Sequence, residues 1–82
     1  MEKIFVLIEE YSNDGSVECQ VLGVSKDITK LNEKMDDMIE EYKTYGCFDD
    51  EDFEDAERNA TSYFITNDDY YGKLDIVERE IL

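Results

Sequence analysis

The feature of this sequence that most constrains its fold is a stripe of apolar residues within residues 26–45. The stripe consists of Ile28, Leu31, Met35, Met38, Ile39 and Tyr42, with Tyr45 one step further. Steps of three and four residues put these side chains on one side of an α-helix. Almost every other position in the segment is polar or charged, so this side must pack against the rest of the protein. Ser25 or Asp27 can cap the start of the helix, and Gly46 suits its end.

Outside this segment the sequence predicts four short strands, two before the helix and two after it. They are rich in β-branched and aromatic residues and span 3–10, 16–24, 61–66 and 73–81. The first two are joined by a turn sequence at 12–16, which includes Asp14 and Gly15. Gly23 marks a bulge or the end of the second strand. Before the fourth strand we expect a loop over residues 67–71, with a turn completed at Gly72.

These elements predict a single α+β domain of 82 residues. We expect a four-stranded, mainly antiparallel sheet, β-β-α-β-β along the chain, with the long amphipathic helix on one face. A short second helix is predicted within residues 47–60, where Asp49 or Asp50 can cap it. The first strand is apolar on both faces, as is typical of a central strand, and the last strand is its expected neighbour.

The helix is expected to cover one face of this sheet and to leave the other face to a second partner. The covered face should consist of Ile4, Val6, Ile8, Val17, Cys19 and Val21. The other strand pair should add Leu74 and Ile76, with either Tyr63 and Ile65 or Phe64. The opposite face would then carry Phe5, Leu7, Val77 and Ile81. Two ways of covering it remain open: the 47–60 segment, through Phe48 and Phe53, or a second copy of the chain, which makes a homodimer.

Charge is the outlying property of the composition. The chain has 23 acidic and 8 basic residues, no histidine, and a net charge of −15. Nucleic acid and anionic membranes repel such a chain, so the expected partner is a basic protein. The sequence has no signal peptide and no apolar run long enough to cross a membrane, which predicts a cytoplasmic protein with reduced thiols. In an oxidising compartment Cys19 and Cys47 would be free to pair.

The motifs predict no enzymatic activity, no cofactor and no metal site. Without histidine, a Ser–His or Cys–His nucleophile is excluded. The two cysteines lack the spacing of a metal site. The acidic run at 49–57 fails as a calcium-binding loop, because Asp55 stands where that loop needs glycine.

Two acidic clusters and a pair of tyrosines are the predicted protein-binding residues. They are Asp36, Asp37, Glu40 and Glu41; Asp49, Asp50, Glu51, Asp52, Glu54, Asp55 and Glu57; and Tyr70 and Tyr71. Carboxylates spaced along a small rigid domain can imitate the phosphates of a duplex and occupy the nucleic-acid site of a basic protein. The alternative is a small structural or self-associating protein with no ligand, whose charge serves solubility.

The opening KIFVLIEEY, followed by VLGVS and a charged helix, resembles small uncharacterised bacterial and phage-type proteins that begin with a hairpin and a helix. The resemblance covers roughly the first half of the chain. It implies a bacterial or mobile-element accessory protein, and it brings with it no activity and no site residue.

Overall fold

The computed structural model describes residues 2–13 and 15–81, and it shows an antiparallel five-stranded sheet, one long helix and one short helix. The strands are β1 (Glu2–Asn13), β2 (Ser16–Ser25), β3 (Glu57–Arg58), β4 (Ser62–Thr66) and β5 (Tyr70–Ile81). The helices are α1 (Ile28–Tyr45) and α2 (Asp50–Asp55). The α+β class and the antiparallel sheet are confirmed. The predicted count of four strands is wrong, because β3 adds a fifth whose two residues are too few and too polar to give a strand signal.

The sheet order is β2-β1-β5-β4-β3, so β1 has a neighbour on each side and the last strand pairs with it, as expected. β5 begins at Tyr70, which makes the preceding loop shorter than predicted. Asn13 pairs with Ser16 across the first hairpin, and Gly15 adopts a φ of 89°. Asp14, part of the predicted turn, lies outside the described residues.

Both helices are capped by the residues that their sequences favour. Asp27 caps α1 by accepting a hydrogen bond from the Thr29 N–H at 2.9 Å, and Gly46 ends the helix with a φ of 74°. Asp49 caps α2, and its carboxylate accepts from the Asp52 N–H while the Asp52 carboxylate accepts from the Asp49 N–H, both at 3.0 Å. This reciprocal pair satisfies two backbone donors that a helix start otherwise leaves unpaired.

The core lies between α1 and one face of the sheet. Its buried members are Leu7, Leu31, Met35, Tyr42, Phe48, Tyr63, Ile65, Leu74 and Ile76. The predicted contributions of Leu31, Met35, Leu74 and Ile76 are confirmed, and of the two options offered for β4 the structure has Tyr63 and Ile65.

The prediction of which face of β1 and β2 meets α1 is wrong. Leu7 is fully buried and Phe5 packs against the core, whereas Ile4, Val6 and Ile8 point to the opposite side. The β2 residues expected under the helix, Val17, Cys19 and Val21, are exposed. Both alternating sets of β1 are apolar, so periodicity alone could not choose between them.

A β-bulge in β2 explains how this strand still contributes one side chain to the core. The pairing register shifts between the Leu7–Gly23 and Ile8–Val21 pairs, and Leu22 lies between them. Leu22 packs against the core as a half-buried residue. The expected bulge near Gly23 is therefore confirmed, and it turns an otherwise exposed strand toward α1.

Gly72 does not complete a turn, as predicted, but lies within β5 beneath the ring of Tyr42. A Cβ atom at Gly72 would stand 3.1 Å from Cε2 and 3.2 Å from Cζ of that ring. These distances are shorter than a relaxed carbon–carbon contact. The absence of a side chain at Gly72 therefore allows Tyr42 to reach the sheet.

We expect Leu31→Ala and Met35→Ala each to lower the free energy of unfolding by about 2–5 kcal/mol, because both side chains are removed from a closely packed core. Urea unfolding would measure the loss, with Lys30→Ala on the exposed side of α1 as the control. A loss below about 0.5 kcal/mol at both positions, typical of surface sites, would contradict the packing described.

Candidate functional site

The first acidic cluster is divided between the two sides of α1. On the side of β3, the Arg58 guanidinium lies 3.3 Å from Oδ1 of Asp36, and Lys43 lies 3.0 Å from Oε1 of Glu40. The Lys43 ammonium also stands 5.9 Å from the centre of the Phe53 ring of α2, within the range of a cation–π contact. Asp36 and Glu40 therefore belong to the side of α1 that meets α2 and β3.

The other two acids of this cluster face β2. Asp37 and Glu41 line a groove of about 360 Å³ between α1 and β2, together with Lys34. Leu22 and Met38 supply apolar parts of its lining. The four acids of α1 thus do not form one patch, and only half of them approach the second acidic cluster.

Two acids of the second cluster have structural roles. Asp49 and Asp52 form the capping pair of α2, and the Asn67 side chain donates to the Asp52 carboxylate at 3.3 Å. Asn67 also donates to the Cys47 carbonyl at 2.8 Å and accepts from the Tyr70 N–H at 2.7 Å. These contacts hold the start of α2 against the loop between β4 and β5.

The remaining acids of α2 are Asp50, Glu51, Glu54 and Asp55, and all four are exposed. Among the residues that the structure describes, no basic side chain lies within 4.0 Å of any of them. Glu54 and Asp55 occupy the last turn, where the helix dipole disfavours negative charge, and no basic residue accompanies them there. The stability of α2 therefore does not explain the position of Glu54 and Asp55.

Three predicted site residues lie apart from the acidic helices. Glu57 in β3 is paired with Phe64, on the side of the sheet away from α1. Tyr70 and Tyr71 are the first two residues of β5 rather than loop residues, and they point to opposite faces. Tyr70 packs on Phe48 with ring centroids 6.3 Å apart, and Tyr71 packs on Phe64 at 6.2 Å. They therefore do not act as one exposed pair.

The structure reveals a buried polar cluster that the sequence analysis missed. Glu9, only 4% exposed, lies on the α1 side of β1. The Tyr42 hydroxyl donates to its Oε2 at 2.5 Å, and the Gln20 side-chain amide donates to its Oε1 at 2.7 Å. Nearby, the Tyr11 hydroxyl donates to Sγ of Cys47 at 3.2 Å. The sequence held one signal for this cluster. Leu7, Glu9 and Tyr11 occupy alternate positions of β1, so the Glu9 carboxylate shares a face of the sheet with the core residue Leu7.

The cluster changes the acidity of its tyrosines. Burial is the main cause that raises the pKa of Tyr42 well above its usual value, and the hydrogen bond to Glu9 raises it further. Burial also raises the pKa of Tyr11, followed by its hydrogen bond to Cys47. Both phenols therefore stay protonated in the folded protein well into the alkaline range. Because Glu9 and Tyr42 are almost completely shielded from solvent, the cluster acts as a structural link.

The face of the sheet turned away from α1 is apolar over most of its length, and we call it the open face. By strand register it carries Ile4, Val6, Ile8, Val17, Cys19, Val21, Val24, Phe64, Tyr71, Val77 and Ile81. Val17 is 58% exposed and Val24 is 55% exposed. Single exposed apolar residues are ordinary, but a contiguous set is typical of an interaction surface. Val77 and Ile81 were predicted on this face and lie there. Phe5 and Leu7 were also predicted on this face, but they lie on the α1 side.

The segment that was expected to cover the open face lies elsewhere. Phe48 contacts Tyr42, with ring centroids 6.2 Å apart, and Phe53 contacts Phe48 at 6.0 Å. Both rings therefore extend the core on the α1 side. Of the two ways of covering the opposite face, the 47–60 segment is excluded.

Comparison of the chain with protein-family models, with curated proteins and with solved structures found no match. Within residues 2–13 and 15–81, no three or more Cys, Asp or Glu side chains are grouped so that they could hold a metal ion. In the same part of the chain, neither helix combines the length and the apolar character needed to cross a membrane.

We expect Tyr42→Phe to lower the free energy of unfolding by about 1–3 kcal/mol, because it leaves a buried carboxylate oxygen of Glu9 without its donor. Urea unfolding would measure this, with Tyr45→Phe, which removes an exposed hydroxyl, as the control. Equal losses in the two variants would contradict a specific role for the Tyr42 hydroxyl.

The same link predicts a dependence on pH. The pKa of Tyr42 is higher in the folded protein than in the unfolded chain, where it is about 10. Its stabilising contribution is therefore complete below about pH 10 and is lost as the pH rises above that value, because only the unfolded chain then releases the proton. The wild-type free energy of unfolding should fall more steeply above pH 10 than that of Tyr42→Phe, and equal slopes would contradict this assignment.

Proposed function

We propose that this chain is a non-enzymatic acidic binding protein that engages a basic protein partner. The binding surface consists of the exposed carboxylates of α2, and beside them lie Asp36 and Glu40 of α1, which are paired with Arg58 and Lys43. The observation that carries the proposal is that Asp50, Glu51, Glu54 and Asp55 are exposed without a basic side chain within 4.0 Å among the described residues. Carboxylates left unpaired on a rigid element keep their full attraction for an incoming cation.

Several of these charges lie at helix positions where local preference disfavours an acid. The first turn of α1 contains no acid, and Asp36–Glu40 and Asp37–Glu41 are pairs of like charge four residues apart, which disfavour a helix. The last turn of α2 is acidic, although the helix dipole disfavours negative charge there. Each unfavourable charge–dipole or like-charge interaction lowers the stability of the helix by about a few tenths of a kcal/mol, so the arrangement persists at a small cost to stability. A requirement for negative charge at this surface explains that cost.

A lysine- and arginine-rich site is the chemistry that such a surface recognises. Complementary charge accelerates encounter, and salt weakens it by screening the field. Where the partner's basic site normally holds nucleic acid, the carboxylates take the place of phosphates, and the two ligands compete. The second candidate, a self-associating protein whose charge serves solubility, is favoured by a different observation, the apolar open face.

The test compares two variants of equal net charge, with a fluorescent lysine- and arginine-rich peptide as the probe. Glu54→Lys with Asp55→Lys reverses charge on α2 and improves its helix dipole, so this variant should fold. Glu18→Lys with Glu80→Lys makes the same change in net charge on exposed strand positions. We expect the α2 variant to bind the peptide about five- to tenfold more weakly at low salt, because each exposed ion pair that it can no longer form with the peptide is worth roughly 0.2–1 kcal/mol.

Fluorescence anisotropy at increasing sodium chloride would measure the affinities. The wild-type affinity should fall steeply with salt, the strand variant should stay close to wild type, and a duplex oligonucleotide should displace the protein from the peptide. Equal losses in both variants would mean that only net charge matters. An affinity that does not change with salt would overturn the proposal.

A further inference from the structure

The open face is left uncovered by every element that the structure describes. The protein measures 43 × 23 × 17 Å along its principal axes, and its smallest extent leaves room for one sheet and one helix layer. The core lies on the α1 side, together with the rings of Phe48 and Phe53 that α2 and its preceding loop supply. In the single chain the outer members of the open face, among them Val17, Val24 and Phe64, are therefore exposed to solvent, and its central residues are half-buried.

Charge distinguishes the open face from the rest of the molecule. Its charged residues by strand register are Glu2, Glu10, Glu57 and Asp75, with Lys73 and Arg79. They sum to −2, a small part of the net −15 of the chain. Lys73 and Asp75 already approach each other to 3.7 Å. This surface is apolar at its centre and carries charges of both signs around that centre. It therefore fits a partner with the same properties.

We propose that a second copy of this chain covers the open face, so that two sheets pack face to face about a two-fold axis. Such an interface uses the same patch on both copies, and the basic residues of one copy can meet the acidic residues of the other. The proposal does not rest on the function proposed above, because it uses the opposite side of the sheet.

This arrangement of the dimer also limits the repulsion between two chains that each carry a net charge of −15. Face-to-face sheets lie about 10 Å apart, with the helices on the outer sides of the sandwich. The acidic helices of the two copies are then on the order of 30 Å apart, several times the Debye length of about 8 Å at physiological salt. Association through the helices would instead place the acidic clusters against each other.

The available area is sufficient for a stable interface. The two larger extents, 43 and 23 Å, bound the open face at about 1,000 Å². A standard interface buries about 800 Å² on each partner. A stable dimer must therefore use most of the face, including the exposed valines of β2.

Pairing through the free edge of β2 is the competing arrangement. The bulge at Leu22 interrupts the regular spacing of that edge, which makes it a poor template for a further strand. Edge pairing would also leave the open face uncovered. It is therefore an outcome to be distinguished by experiment.

Sedimentation equilibrium of the full chain over a range of micromolar concentrations tests the proposal. We expect a species of twice the chain mass of 9.6 kDa, with an affinity that rises or stays constant as sodium chloride is added. Binding of the basic peptide should weaken under the same addition, so the two proposals can fail separately. A monomer at high micromolar concentration in physiological salt would overturn the dimer.

Two variants locate the contact. Val17→Lys with Val24→Lys places charge on the open face, at side chains that are exposed in the single chain. Glu18→Lys makes the same change in net charge on the opposite side of β2. We expect at least a tenfold loss of dimer affinity in the first variant and no loss in the second. Equal dimerisation of the first variant and wild type would assign the interface to another surface and overturn the proposal.

A measurement on the wild-type chain decides the matter if the valine variant does not fold. Cys19 is an exposed residue of the open face, and Cys47 is a half-buried residue on the other side. Labelling with N-ethylmaleimide, followed by peptide mass spectrometry, gives the rate at Cys19 relative to Cys47. That ratio should fall in proportion to the dimerised fraction as protein concentration rises, and a constant ratio would overturn the proposal.

Discussion

The hydrogen bond between Tyr42 and Glu9 is the contact on which the arrangement of helix and sheet depends. A carboxylate that is only 4% exposed is costly to bury unless its oxygens are paired, and Tyr42 and Gln20 supply both partners. Tyr42 can reach Glu9 because Gly72 has no side chain beneath its ring. The last turns of α1 are thereby fixed over β1 and β5, and the core forms around them.

This contact decides which side of the sheet is covered. A polar pair, Glu9 and Gln20, lies under the helix side of the sheet, and the more regularly apolar set of β1 faces outward. The result is a molecule with two dissimilar surfaces. One side presents most of the acids, and the other presents aliphatic side chains with nearly balanced charge. Salt should weaken contacts of the first kind and leave the second intact, which gives each surface its own experimental signature.

The two proposals are compatible because they use different sides of the sheet. In a face-to-face dimer the helices point outward, so each copy keeps its acidic surface accessible to a basic partner. Two such surfaces on one particle would let it bind a partner with repeated basic sites more tightly than one copy can. Under the two proposals, the high charge would serve both binding and the restriction of self-association to the open face.

The sequence by itself determined both helices and four of the five strands of this protein. The spacing of Leu31, Met35 and Tyr42 placed α1, and local turn and cap chemistry placed its end at Gly46 and the start of α2 at Asp49 or Asp50. Its acidic residues predicted an acidic exterior, since charged side chains seldom lie buried without a partner.

Tertiary structure alone decided which face of β1 the helix covers. Ile4, Val6 and Ile8 and the alternate pair Phe5 and Leu7 satisfy the same period of two. The choice required knowledge that Glu9 would find Tyr42, 33 residues away, and that Gly72 would stand beneath the ring. β3 was missed for a similar reason, because its two residues pair only where β4 offers them an edge. Contacts between distant residues fix such features, and no local pattern records them.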